Sequence, residues 1–272
     1  MDANRFGGKV ISSKDIDYGQ AFDWGKTADD YAVYRDLYPE EFYQKIVNLG
    51  LCVRGQSVLD LGTGTGVLPR NLYRFGAAFV GTDISENQIA AARRLSAEQH
   101  MDISYITVAA EDIDFPDQSF DVITACQSFL YFDTAVVIPK IARMLKPGGR
   151  FAEMFLAWLP DECEIAAKSE ELILKYNPGW TGCNFKRMPI TVPDWAGELF
   201  TVENMIAFDV PVRFTRESWN GRIRACRGIG ASLPEDKIRA FEHEHIEMLH
   251  QAAPPSFEIP HHATMRILRV NK

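Results

Sequence analysis

The stretch Val58-Leu59-Asp60-Leu61-Gly62-Thr63-Gly64-Thr65-Gly66 holds the residue types best suited to chemistry in this chain. An apolar run ending in Asp60 reads as a buried parallel strand. The glycines then let the backbone turn sharply, and the apolar residues from Val67 start a helix. Such a loop carries backbone N–H groups and a helix N-terminus up to a ligand with no side chain in the way. A dinucleotide site needs G-x-G-x-x-G, with phosphates on the helix N-terminus. Here Val67 occupies the place of the third dinucleotide glycine. Asp60, two residues ahead of Gly62, would repel a pyrophosphate. A Gly-rich turn with no ligand is the other reading of this run. A second carboxylate, Asp83 in Gly81-Thr82-Asp83-Ile84-Ser85, lies about 20 residues further on, where an acid accepts both hydroxyl protons of a ribose. Asp83 could instead cap the next helix, but Ser85 is better sited to do so. Gln88, one turn into that helix, can reach the same ligand.

The elements that must position these groups follow from pattern. The chain has 272 residues, a net charge of −8, a sequence pI near 5.3 and 46% hydrophobic residues. That length buries a full core and suits one α/β domain with insertions. The acidic balance argues against a general nucleic-acid binder. Five cysteines (Cys52, Cys126, Cys163, Cys183 and Cys226) without C-x-x-C spacing suggest neither a disulfide framework nor a zinc site, and point to a reducing cytoplasm. No run reaches the roughly 18 apolar residues of a membrane span, and Met1 to Val10 has no apolar signal core.

From residue 57 the chain alternates strand and helix, the pattern of a parallel sheet covered on both faces. Strands are expected at 57–61, 78–82, 103–108, 120–125 and 149–156, with helices at 67–75, 86–99 and 134–145. Ahead of them, residues 1–17 read as an arm. Thr27 or Asp29 could cap a helix through Tyr31 and Arg35, and Pro39 opens another with Phe42, Ile46, Val47 and Leu49 on its buried stripe. After Trp158 the spacing predicts a helix at 161–176, an ordered loop at 177–198 and a strand at 203–214. Helices at 215–229 and 234–250 and a last strand at 263–270 follow. The expected division is 1–50 for arm and lid helices, 51–160 for a ligand-binding core, and 161–272 for the remaining strands with a helical insertion at 215–250.

Further motifs stand where the third, fourth and fifth strands begin or end. They are Val108-Ala109-Ala110-Glu111-Asp112-Ile113 with Pro116-Asp117-Gln118-Ser119-Phe120-Asp121, then Ala125-Cys126-Gln127-Ser128-Phe129-Leu130-Tyr131, and Lys146-Pro147-Gly148-Gly149. With D-x-G-x-G-x-G at their head, and over roughly residues 20–156, these motifs resemble the class I S-adenosylmethionine-dependent methyltransferases of the methyltransferase-11 or ubiquinone/menaquinone-biosynthesis-like type. The resemblance implies an α/β fold: a Rossmann-like class I methyltransferase sheet of seven strands, the last antiparallel, with an N-terminal helical lid and a C-terminal helical insertion. It implies S-adenosyl-L-methionine as cofactor, a ligand with no phosphate that carries a cationic amine and a sulfonium. Asp60, Gly62, Thr63 and Gly64 would form its turn, and Asp83, Ile84 and Gln88 its ribose side. Ala110 and Glu111 would face the adenine, and Cys126 and Gln127 the amino-acid end. Tyr31 and Arg35, in D-Y-A-x-Y-R, would lie near the methionine end under the lid. Cys126 also reads as a small buried apolar residue. Two positions depart from the family pattern. Ala109 stands where many relatives carry an acid, and Leu130-Tyr131 where relatives often carry His-Trp, which leaves Tyr131 as the polar group there.

Methyl transfer from a sulfonium is an in-line displacement on an activated carbon. The protein must orient an electron pair, exclude water and remove a proton where the acceptor has one. No metal is expected. His261 and His262, at the expected rim of the site, are the leading bases; a surface or hydrogen-bonded role is the plain alternative for either. Arg222, Arg224 and Arg227 could hold an anionic substrate through paired hydrogen bonds or bind the chain's own acids. Trp24, Trp158 and Trp219 could wall an aromatic acceptor or pack the core. The expected function is therefore methylation of an O or N atom of a small molecule, with no nucleic acid and no membrane as partner. The alternatives are an S-adenosylmethionine-binding protein without catalysis and a nicotinamide-dependent oxidoreductase.

Overall fold

The computed structural model describes residues 10–34 and 38–272. Seven strands form one mixed sheet: β1 (Ser57–Leu61), β2 (Ala78–Asp83), β3 (Ser104–Thr107), β4 (Phe120–Cys126), β5 (Leu145–Trp158), β6 (Phe200–Thr215) and β7 (Ser256–Val270). Their order is β3-β2-β1-β4-β5-β7-β6, with the last strand antiparallel. The helices are α1 (Ala28–Tyr34), α2 (Glu40–Asn48), α3 (Val67–Leu72), α4 (Glu86–Glu98), α5 (Thr134–Met144), α6 (Glu164–Tyr176), α7 (Arg216–Arg224) and α8 (Glu235–Ala252). This is the expected fold class. β1 pairs in parallel with β2 (Val58 opposite Phe79) and with β4 (Val58 opposite Val122). Successive strands leave β1 in both directions, so the gap between β1 and β4 is the switch point where open α/β sheets bind ligands.

Contacts divide the chain into two compact units. One comprises residues 40–156, 188–208 and 263–272; the other comprises 1–39, 157–187 and 209–262. The first unit packs Leu59, Leu61, Ile123, Phe151 and Leu268 against the inner faces of α5's Val137 and Ile141. On α2, Phe42 and Ile46 are buried as expected. Tyr43 joins them, while Val47 and Leu49 are only half covered. The Lys146–Gly149 turn lies inside β5. Phe120 pairs Leu145 and Val122 pairs Arg150, so the intervening residues bulge from the ladder. Lys146 Nζ reaches Asp121 at 2.7 Å, and Asp121 accepts the Ser57 N–H, an arrangement that ties the starts of three strands together.

The second unit has its own core, built on Trp158, Trp180, Phe214, Trp219, Ile223, Phe241 and Ile259. Thr27 does not cap α1. Its hydroxyl donates to Trp24 O, and Asp23 caps the preceding 3-10 turn by accepting the Gly25 N–H. The helix expected over 215–229 stops at Arg224. Beyond it, Gly228 lies against Ile173 and Trp180, and Gly230 against Thr27 and the Arg224 carbonyl, approaches that only turns without Cβ atoms allow.

Inside this core Trp219 Nε1 donates to Ser169 Oγ (2.9 Å). Ser169 Oγ lies 3.0 Å from His245 Nε2, and His245 Nδ1 lies 2.8 Å from Asn220 Oδ1. The sequence is that of a nucleophilic triad, yet Ser169 and His245 are both 0% exposed, so no substrate reaches them and the string is structural. Burial pushes His245 down from 6.5 to about 4. Unfolded chains therefore bind the extra proton first. The stability this neutral imidazole supports is complete above pH 6.5 and is lost as pH falls towards 4. Between pH 7 and pH 5 the wild type should lose about 2 kcal/mol more stability in urea unfolding than His245→Gln. Equal losses in both proteins would remove His245 from this role.

Candidate active site

β1 ends at the switch point, and its last turn of chain is shaped by contacts inside the first unit. Gly62, Gly64 and Gly66 all have left-handed φ (+65°, +57° and +76°). A Cβ on Gly62 would collide with the side chain of Ser128, which follows β4, and one on Gly66 would collide with the Tyr105 ring of β3. Two of the three glycines thus make room for the chain's own side chains rather than leaving backbone bare. Ser128 holds its place by donating Oγ–H to Leu61 O at 2.7 Å.

Three N–H groups of the turn bond within the chain. Thr63 N donates to Thr82 O (2.8 Å), Gly64 N to Asp83 Oδ2 (2.9 Å) and Gly66 N to Thr63 O (2.9 Å). The other Asp83 oxygen accepts the Ser85 N–H at 2.9 Å. Ser85 caps α4 through its hydroxyl, as expected, and that division leaves Asp83 to bind the loop. Asp60 is 2% exposed and accepts Thr124 Oγ1–H at 2.6 Å. Burial raises its carboxyl to about 6, and the Asp83 carboxyl is also raised, again by burial first. Two desolvated acids therefore flank a turn three of whose N–H donors are bonded within the chain. The electrostatics favour a positive ligand, since a cation relieves both desolvated charges while a phosphate would add to them.

The remaining positions of the first unit lie along the same strand ends. Ile84 is half-buried after β2, and Gln88 is buried in the first turn of α4. Ala110 opens a 3-10 turn after β3, and the neighbouring Glu111 uses Oε1 to accept the Asp133 N–H at 2.8 Å. Cys126 is buried at the end of β4, in keeping with its reading as a small apolar residue. Gln127 takes a left-handed φ of +63°, and its amide donates to Leu156 O. Tyr131 closes the 3-10 turn Phe129–Tyr131. Sequence reasoning missed Ser128 and Thr124. A small polar residue two places past a strand end was a signal for the first; nothing local marks the second.

Tyr31, His261 and His262 belong to the second unit, and Arg35 lies outside the described residues. Tyr31, on α1, meets Trp24 edge-on with centroids 6.1 Å apart. His261 is 3% exposed, places Nδ1 2.8 Å from Ile259 O, and stacks on Phe214. Burial pushes it down to about 4. His262 is 6% exposed, with Nδ1 2.6 Å from Asp209 Oδ1. Asp209 was missed, since 53 residues separate it from His262. Arg224 pairs with Asp30 and Glu242, and Arg227 with Asp17 and Thr181, so both serve the chain's own acids. Arg222 lies over the Trp158 ring at 4.9 Å, and Trp158 and Trp219 are core residues.

Comparison with known proteins finds likeness over the same segment. Residues 59–152 match the family described as a methyltransferase domain. A ubiquinone biosynthesis O-methyltransferase from Bradyrhizobium diazoefficiens is 32% identical over 148 residues, 54% of this chain and 58% of that protein. One from Neisseria meningitidis is 29% identical over 162 residues, 58% of this chain and 67% of that protein. The chain thus spans about three fifths of the length of the first of these relatives (58%). Among solved structures, the YcgJ protein from Bacillus subtilis aligns with a TM-score of 0.51 at 18% identity, over 86% of this chain and 99% of that one. A protein of echinomycin biosynthesis aligns at 0.53 and 16% identity, over 88% and 85%. At those identities the likeness is one of fold. Sheet order, glycine turn and family match coincide over residues 59–152, the segment in which this chain is similar to methyltransferase domains.

Proposed function

We propose that this protein is an S-adenosylmethionine-dependent methyltransferase acting on an O or N atom of a small molecule. The observation that carries this reading is the glycine turn flanked by two buried acids. With the N–H groups of Thr63, Gly64 and Gly66 bonded internally and Asp60 and Asp83 beside them, the site offers two acids to a cation and repels a pyrophosphate. The donor set fits S-adenosylmethionine. Asp83 keeps lone-pair capacity beyond its backbone bonds from Gly64, Ile84 and Ser85 and can accept ribose hydroxyls. Ile84 and the small Ala110 suit the adenine side, Cys126 and Gln127 the amino-acid end, and Asp60 supplies charge of the required sign. When bound, the cofactor supplies a methyl group on a positively charged sulfur. The chain's own residues orient the acceptor, exclude water and take up a proton where the acceptor carries one; Tyr131 is the candidate for the last task within the same unit. Relatives named for ubiquinone biosynthesis O-methylation support an oxygen acceptor. No helix among the described residues is long and apolar enough to cross a membrane.

The test is calorimetry followed by turnover. S-adenosylmethionine and S-adenosylhomocysteine should both bind, and NAD should not. Preferential binding of NAD would overturn the reading in favour of an oxidoreductase. Adenosyl binding with no methyl transfer to any member of a hydroxyl- and amine-bearing panel would leave a binding protein without catalysis.

A further inference from the structure

We propose that the second unit carries a ligand site of its own, a cavity between α1, α7 and α8 that takes a small monocarboxylate with an apolar body. Every residue of the site lies in that unit, so the site stands whether or not the protein methylates anything.

The cavity holds about 430 Å³, within the range of about 300–1,000 Å³ that small-molecule sites occupy. Its walls come from three helices. α7 contributes Arg216, Asn220 and Arg224 from one face, and α8 contributes Glu242, Ile246 and His250 at the same i, i+4 spacing. Two cross-links set these helices antiparallel. Arg216 Nη1 donates to His250 Nδ1 at 3.1 Å at one end, and Arg224 bonds Glu242 at the other. Arg216 and Arg224 lie about 12 Å apart along α7, at a rise of about 1.5 Å per residue. α1 closes the third side. The Tyr34 ring rests on Gly221, where a Cβ would come within 2.2 Å of it, so the missing side chain makes room for the ring.

The two ends differ in charge. At one, Arg216 donates Nε and Nη2 to the Ala253 carbonyl (2.8 and 2.5 Å) and Nη1 to His250. A guanidinium has five N–H bonds, so one remains on Nη1 and one on Nη2, a pair that a carboxylate can meet. None of these partners is a carboxylate, and among the described residues none lies within ion-pair distance of Arg216. A half-buried cation without a counter-ion beside a cavity calls for an anion from outside the chain. Glu217, which also lines the cavity, is exposed, and water screens its charge. At the other end one guanidinium, Arg224, faces two carboxylates, Asp30 and Glu242. Asn220, 6% exposed, adds its amide N–H to Glu242 at 3.3 Å. The surplus negative charge there repels a second anionic group. Between the ends Tyr34, Ile246 and Leu249 offer apolar surface, and Ile246 is open to solvent. One carboxylate on an apolar body satisfies all three parts.

Calorimetry on the full chain, without S-adenosylmethionine, tests the site with 3-phenylpropanoate, 3-phenylpropanol and phenylsuccinate. The monocarboxylate should bind saturably, and the alcohol and the dicarboxylate should each bind about tenfold more weakly or worse. Ile246→Trp fills the cavity from an exposed position without touching an ion pair, and should abolish binding. Arg216→Gln should weaken it about tenfold or more. Because Arg216 also holds the end of α8, circular dichroism checks both variants, and Ile246→Trp decides the matter should Arg216→Gln not fold. No saturable binding of 3-phenylpropanoate, equal affinity for it and either analogue, or full affinity in either folded variant overturns the proposal.

Discussion

Gly62→Ala is expected to destabilise the protein by about 2–5 kcal/mol. A Cβ in the left-handed region costs about 1–2 kcal/mol, and forcing an atom into a packed site costs about 1–3 kcal/mol more. The site is packed, because Ser128 and Phe132 stand over the glycine and Ser128 is pinned to Leu61 O. Urea unfolding measures the loss. Ser128→Gly in the same background should recover part of it by removing the atom that the added methyl group strikes. The φ strain and the lost Ser128 hydroxyl bond would remain. A change below about 1 kcal/mol for the single variant would mean that the turn tolerates a side chain and that its glycine has another purpose. Adenosyl binding should fall together with stability, because the same turn shapes both.

Asp83→Ala should weaken cofactor binding by about 2–3 kcal/mol, equivalent to roughly 30- to 150-fold in Kd. The carboxylate serves two masters. It accepts from Gly64 and Ser85 in the folded chain, and its remaining lone pairs are those proposed for the ribose. Calorimetry with S-adenosylmethionine and S-adenosylhomocysteine separates ribose contact from simple charge. The ribose is common to both ligands, so an Asp83 bond to it is lost equally. An effect of charge alone would fall mainly on the sulfonium form. Unchanged affinity for both ligands removes Asp83 from the ribose altogether.

The alternating strands and helices from residue 57 to residue 156 were legible because their signals are local. A run such as Val58-Leu59-Asp60-Leu61 is apolar on both faces, as a covered parallel strand must be, and Ser85 stands one residue ahead of the helix it caps. Their observed bounds fall within a residue or two of those expected, apart from β5, whose first residues are bulged, and α3, which ends at Leu72 and passes into a 3-10 turn at Tyr73–Phe75. Past residue 200 the agreement loosens for a physical reason. β7 begins at Ser256, seven residues early by the sequence pattern, since Phe257 and Ile259 enter the second unit's core and extend a strand that their own neighbours do not announce. α7 ends at Arg224 because Gly228 and Gly230 must approach side chains and backbone from distant parts of the chain.

The same division runs through the site. Sequence alone determined that a glycine turn follows the first strand, that an acid precedes it and another closes the second strand, and that two histidines stand near the chain's end. Residue type, order and spacing carry those facts. Only the tertiary structure decided what each group does with its hydrogen bonds. Asp83 takes the Gly64 N–H from 19 residues away, Asp60 the Thr124 hydroxyl from 64, and Asp209 the His262 ring from 53. Such pairings are set by the register of strands that meet only once the sheet has closed. No local pattern in the chain encodes which donor will find which acceptor.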